Sequence, residues 1–480
     1  MTAYAGSAAF PWRRVSFQVC LAAFYLGMAR VFLLIPVLDD TAGLVLVQAG
    51  LLLTLILAPL EFGLGALGCA FLAAASPALG EMFRVGRWTT LGAALAVLSV
   101  RFFLRRRSGH RPTPNLFEFL LLVFAGFAAF SAFTSVSALL SGVKLLALLC
   151  LFLVLSLAAH RLVDAYGPAA PRRLVVGLLT LTLPFLAIPI FGWITGLGPS
   201  VLNDRGLFTG HVGNPNTWAS LVAVGLPWMV APLVRGSRPW RLPHVGLAVA
   251  LVVVLYTLLL STSRAATLGV AGAIAVFFLI HTERKMAMAA LVLVIMFSAR
   301  VMADPGYLAD LTKRYIRKSS VAVLSSRTGP WQTARRYFQE NPWTGIGFGV
   351  SNVGESRWNW SVQSVGAIET GSSIWGSLAQ VGLLGTSVLF LAILLLLARA
   401  GRFAYRVKDP WLTALYSSVI ALTASAVFEG WLIAPGSFTS TYFWLQCFIL
   451  NAMTQQFRPA SPRHRPWPGG AELDRVYAGA

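Results

Sequence analysis

Charge is what this chain has least of. Asp, Glu, Lys and Arg make up only 11% of its 480 residues, and acids are the scarcer class, 17 against 38 bases. Soluble domains carry about a quarter charged residues, so an ordinary water-facing surface is excluded. Cysteine is scarce too: Cys20, Cys69, Cys150 and Cys447 lie singly within apolar runs, which suggests neither a disulfide framework nor a zinc cluster. There is no Walker lysine motif, no H-E-x-x-H and no D-x-D. The "GIGFG" at 345–349 has no strand–turn–helix context for binding a dinucleotide. No metal or cofactor is expected.

What the chain does have is apolar length. The composition is 57% hydrophobic and the mean hydropathy is +0.72. Nearly uncharged windows recur, each long enough to cross about 30 Å of hydrocarbon as a helix. Runs such as "LVVVLYTLLL" are apolar all round, whereas barrel strands would alternate. The expectation is an all-α polytopic membrane protein of about 12–14 spans, residues 1–480 forming one integral membrane unit. The first apolar run, after Arg13 and Arg14, reads as a span rather than a cleaved leader.

The net charge of +21 lies mostly in short clusters between apolar runs, the pattern of cytoplasmic loops rather than of a nucleic-acid surface. With a cytoplasmic N-terminus, "RRRSGHR" (105–111), "PRR" (171–173), "RGSRPWR" (235–241), "ERK" (283–285), "RAGRFAYRVK" (399–408) and the basic tail 457–480 all fall inside. Two segments then fall outside, 195–217 and the long 304–370. The middle of the second predicts a short amphipathic helix, with Thr328 as a cap, Pro330 in the first turn and Asn341-Pro342 as a stop. Trp331, Ala334 and Phe338 share one side of it, and Gln332, Arg335, Arg336 and Gln339 another.

Candidate chemistry gathers at the predicted outer ends. Arg205, Arg264 and Arg327 each sit among small or polar residues, and guanidinium groups converging there would hold a phosphate or diphosphate through paired hydrogen bonds. Arg300 is better explained by interfacial snorkelling. Glu369 opens "IETGSSIWGSLAQVGLLG", where it is either a carboxylate favoured by a helix N-terminus or a general base. In "GHVGNPNTW", His211 is the one histidine of six that falls outside. Asn214 and Asn216 suit either a plain turn or contacts to a sugar.

The succession "RGLFTGHVGNPNTWAS", "STSRAATLG", "SRTGPWQTARRYFQENPWTGIGFG" and "ETGSSIWGSLAQVGLLG" resembles the O-antigen ligase and polymerase superfamily over roughly residues 200–450. That resemblance implies a metal-independent inverting glycosyltransferase with a C-type membrane fold, multi-pass in the bacterial inner membrane. It would take a glycan from undecaprenyl diphosphate at the periplasmic face. Arg205, Arg264 and Arg327 would hold the diphosphate, and Glu369 would be the base. Arg335, Arg336, Trp331, His211, Asn214 and Asn216 would contact substrate. Ligases commonly carry a histidine pair where this chain has Ile368-Glu369, and that departure points to the exopolysaccharide polymerase branch, as does "FEGWLIAPGSFTSTYFWL" (428–445). The acceptor is then another lipid-linked repeat, with lipid A core ligation as the alternative, and a chain-length regulator is a candidate partner. A lipid-linked oligosaccharide flippase is the competing class. It would need related halves and deep charges, and only Arg30 and Lys144, both able to snorkel, favour it.

Overall fold

The computed structural model describes residues 40–74, 82–104, 115–197, 201–204, 206–235, 242–281, 325–350 and 371–457, with a few positions between 18 and 28. Thirteen α-helices follow one another among these residues. The first six are α1 (Asp40–Leu57), α2 (Leu60–Ala74), α3 (Met82–Leu104), α4 (Leu116–Phe133), α5 (Ala138–Tyr166) and α6 (Ala170–Thr195). Then come α7 (Pro215–Arg235), α8 (Leu242–Ser261), α9 (Arg264–Ile280) and α10 (Ser325–Glu340). The last are α11 (Ser373–Val407), α12 (Pro410–Ala426) and α13 (Phe438–Gln456). Among the described residues, five helical stretches are long and apolar enough to cross a bilayer: Leu116–Phe133, Ala138–Thr195 (which holds both α5 and α6), Pro215–Val234, His244–Ser261 and Ser373–Val407. Four shorter apolar helices accompany them. The chain is an all-α polytopic membrane protein. The apolar run around residue 294, counted among the expected spans, lies outside the described residues.

Small side chains bring the helices together, as expected where lipid removes the hydrophobic drive between them. In α2, Gly65 accepts a hydrogen bond from the Tyr442 hydroxyl at 3.0 Å, and a Cβ on Gly68 would overlap the Tyr442 ring. Every residue of α13 from Phe438 to Met453 is buried. Around it lie Phe152 of α5 (4.6 Å from the Trp444 ring), Phe117 of α4 (5.7 Å from Phe448) and Trp228 of α7, whose indole donates to Gln446 at 3.2 Å. Glu61, a lone charge between two apolar runs, lies in the first turn of α2, buried, where it accepts from the Tyr166 hydroxyl at 3.2 Å. The break falls just before it, at Ala58-Pro59, because proline brings no amide hydrogen to continue the ladder.

The longest helix, α11, is bent at Gly382, which adopts φ 67° and ψ −172°. A Cβ there would overlap the Trp343 carbonyl. The backbone groups freed by the bend pair with 342–347. Leu383 donates to Pro342 O (2.8 Å), and Ile346 donates to Ala379 O (2.8 Å). Gln380 O accepts from Ser131 Oγ (2.5 Å) and from Gly347 N (3.3 Å). Irregular backbone survives near a bilayer only when it is satisfied inside protein in this way. The "GIGFG" segment is therefore a structural patch on a broken helix. Lys144 belongs to the same knot. Rather than snorkelling, it is 5% exposed and donates to Gly349 O at 2.7 Å, while Gly349 N donates to Gln380 Oε1 at 2.8 Å.

Candidate functional site

Hydrogen bonds tie together the helix ends that the basic-loop pattern assigns to one face. The α4–α5 turn donates from Val136 N to Ile346 O, and the 201–209 loop donates from Phe208 N to Leu260 O at the end of α8. Ser373, fully buried at the start of α11, donates to Glu429 O (2.7 Å) and accepts from the amides of Trp431 and Leu432 (both 3.2 Å). Trp331 of α10 stacks on Phe428, with ring centroids 6.5 Å apart. Gly371, at φ 109°, lies against the indole edge, where a Cβ would stand 3.0 Å from Trp331 Cδ1. Thus α10, the entry to α11 and the α12–α13 connection form one cluster.

Arg264 is the first residue of α9 and is half-buried. Thr262, two residues earlier, holds the α8–α9 turn in the left-handed region at φ 51°, a conformation that is uncommon for a β-branched side chain. Its hydroxyl is buried with no hydrogen-bond partner. Strained residues of this sort collect where function fixes the geometry. Helices α9 and α12 pack antiparallel: a Cβ on Gly269 would overlap Ala421 O, and His281 Nε2 lies 3.0 Å from Thr413 Oγ1. Five residues outward from Gly269 is Arg264, and five outward from Ala421 is Ala426, the last residue of α12. The guanidinium helix end thus stands beside the turn that leads to Phe428 and Glu429.

The other predicted residues divide into three groups. Arg205, Glu369 and Arg300 lie outside the described residues. Among the described residues beside it in sequence, Gly206 N donates to Asn203 O (2.8 Å) and Leu207 N to Asn203 Oδ1 (3.0 Å). Arg327 falls in the first turn of α10, and its side chain is outside the described set. The second group faces solvent. Arg335 and Arg336 are exposed, and Arg336 pairs with Glu340 at 3.8 Å and covers the Tyr337 ring at 5.3 Å. The packed side of α10 is centred on Tyr337, with Ala334 beside it, rather than on Phe338. The helix also begins at Ser325, upstream of the expected Thr328 cap, and stops at Glu340 before Asn341-Pro342.

The third group fills out the 210–217 segment. Asn214 Oδ1 accepts from the amides of Asn216 (2.9 Å) and Thr217 (3.4 Å), so Asn214 serves as the turn that starts α7. Asn216 is half-buried in the first turn of that helix. His211 sits in a short 3-10 turn, and burial pushes its imidazole down to about 3, which keeps it neutral and a weak base. Among the described residues no three His, Cys, Asp or Glu side chains have metal-ligating spacing.

No curated protein matches the chain. Residues 249–390, which contain three of the four motifs above, match the family model described as O-antigen ligase, and this supports the resemblance to the O-antigen ligase and polymerase superfamily.

Proposed function

We propose that the protein is a glycosyltransferase working at the periplasmic face of the bacterial inner membrane. It would move a glycan from undecaprenyl diphosphate onto another lipid-linked repeat, releasing the lipid diphosphate. One observation supports this most directly: the helix end carrying Arg264, the stack of Trp331 on Phe428 and the Ser373-anchored entry to α11 meet at one end of the bundle. The leaving group is already activated, so two contributions suffice. Charge on the departing diphosphate must be stabilised, and the acceptor hydroxyl must lose its proton.

Arg264, Arg327 and Arg205 supply the first. Their planar donors match phosphate oxygens two at a time, and the N-terminus of α9 adds its own partial positive charge. Glu369, two residues before Gly371 and the entry to α11, supplies the second. Its proton transfer comes late, as the anomeric bond breaks and the hydroxyl grows acidic. Arg335, Arg336 and Trp331 of α10 and the 210–217 turn would line the approach.

The deciding experiment is the lipid-linked glycan pool of a deletion strain. Accumulated single repeats are the expected result. Long chains left unattached would make the protein a ligase onto lipid A core instead, and an unchanged pool would remove the reading.

A further inference from the structure

The α8–α9 turn carries two costs that nothing around it offsets. Only Thr262 and Ser263 separate the two helices, and Thr262 N closes the turn by donating to Leu259 O at 3.1 Å. That closure holds Thr262 at φ 51°, where a Cβ crowds the carbonyl and where glycine or asparagine is the usual occupant. Thr262 is also 2% exposed, and its hydroxyl, shut away from water, has no hydrogen-bond partner. A buried donor left in that state costs the full desolvation of the group. Glycine would remove both costs at once, so neither arises from the need to turn the chain.

The next residue adds a third observation. Ser263 occupies the N-cap of α9 with extended backbone, yet its side chain makes no bond to the amides of the first turn. Those amides have no acceptor within the helix itself. Ser263, Ala265 and Ala266 are all buried, so bulk water is kept from this helix end as well. The Thr262 hydroxyl and the amides are carried on one tight turn. All of these groups can donate a hydrogen bond, and the amides can do nothing else. Donors gathered at the positive end of a 17-residue helix select an anion, and their spacing suits the oxygens of a phosphoryl group.

We propose that the α8–α9 turn is a phosphoryl-binding site, in which the Thr262 hydroxyl and the first-turn amides of α9 donate to the oxygens of one phosphate. None of these donors is the Arg264 guanidinium, so the site can be tested apart from it. The proposal rests on the glycosyltransferase reading for the source of the anion, the undecaprenyl diphosphate of the donor. Free pyrophosphate offers the same chemistry from solution.

The test uses the full-length protein in lipid nanodiscs, with undecaprenyl diphosphate, inorganic pyrophosphate and undecaprenol as probes. Thermal unfolding of the unliganded protein in detergent runs beside it. Thr262→Val removes the hydroxyl at constant shape, Thr262→Gly removes the backbone clash as well, and Thr262→Ser keeps the hydroxyl. Val and Gly should each weaken undecaprenyl diphosphate by roughly tenfold or more, the size of a hydrogen bond to a charged group. The same two variants should raise the unfolding temperature of the unliganded protein, because each removes an unmet cost. Ser should bind as the wild type does, and undecaprenol, which lacks the phosphates, should not distinguish the variants. A lowered unfolding temperature in both Val and Gly would make Thr262 a structural residue of the turn and overturn the assignment. Unchanged affinity in Val, or a loss shared by undecaprenol, would overturn it too. A wild-type protein that binds pyrophosphate through Thr262 but not undecaprenyl diphosphate would sink the proposed donor and leave the phosphoryl site standing.

Discussion

At the scale of single residues, the site rests on Arg264, and its test separates geometry from charge. Arg264→Ala should abolish transfer with protein levels intact, and Lys should fail to restore it, because one ammonium cannot reproduce the two-pronged guanidinium. Polymer yield in a complemented deletion strain reads this directly. Arg300→Ala is the contrast. Interfacial snorkelling explains that arginine, so its loss should change yield by no more than about twofold. Glu369→Gln keeps shape but removes basicity, and turnover should fall about 10²–10⁴-fold while donor binding survives. An active Glu369→Gln protein would end its assignment as the base. His211 gives a pH signature of its own. Its folded-state value, near 3, lies below the ordinary 6.5, so between those limits only the unfolded chain takes up the proton. Stability contributed by His211 is therefore present above about pH 6.5 and falls as pH drops toward 3, by up to about 1.4 kcal/mol per unit. His211→Gln should flatten the acid side of an apparent melting-temperature profile.

Among elements, α11 and α10 show what a sequence discloses and what it hides. The amphipathic character of α10 was legible from spacing, as was its stop at Asn341-Pro342. Its buried centre, Tyr337, was not, because several aromatics lie within a turn of one another and only the partner surface of Ile346, Val350 and Ala379 selects among them. The bend in α11 gave no signal at all. "QVGLLG" reads as unbroken apolar helix, and the deciding group, the Trp343 carbonyl, comes from a segment some forty residues away. Lys144 was visible as a charge in an apolar run, but its partner at Gly349 lies 205 residues away in sequence. The family motifs, by contrast, were legible because each is local. A consequence for α11 follows. Gly382→Ala meets both a left-handed φ, which costs about 1–2 kcal/mol, and the Trp343 carbonyl, so folded protein should drop sharply. Gly329→Ala, with nothing within 4 Å of the added methyl, should be recovered at wild-type levels. Detergent-solubilised yield compares the two.

On the scale of the whole molecule, the linked helix ends divide into two faces. Thiol labelling of single-cysteine variants should place Ser325 and Asn352 outside, and Arg106 and Arg402 inside. Labelling of the first pair from the cytoplasm would move the site to the wrong side of the membrane. The position of α13 bears on how the molecule is assembled. It is enclosed by α2, α4, α5, α7 and α12, all of which leave the ribosome before it. Those helices must therefore enter the bilayer around a slot that is still open, filled meanwhile by lipid or by an insertion chaperone. Docking of α13 then works as a completion step: it displaces that filler and draws the Ser437–Phe438 end up against the Glu429 turn. A chain interrupted before Phe438 would be hollow and a target for membrane proteases, and the missing helix supplied as a separate peptide during synthesis should rescue it.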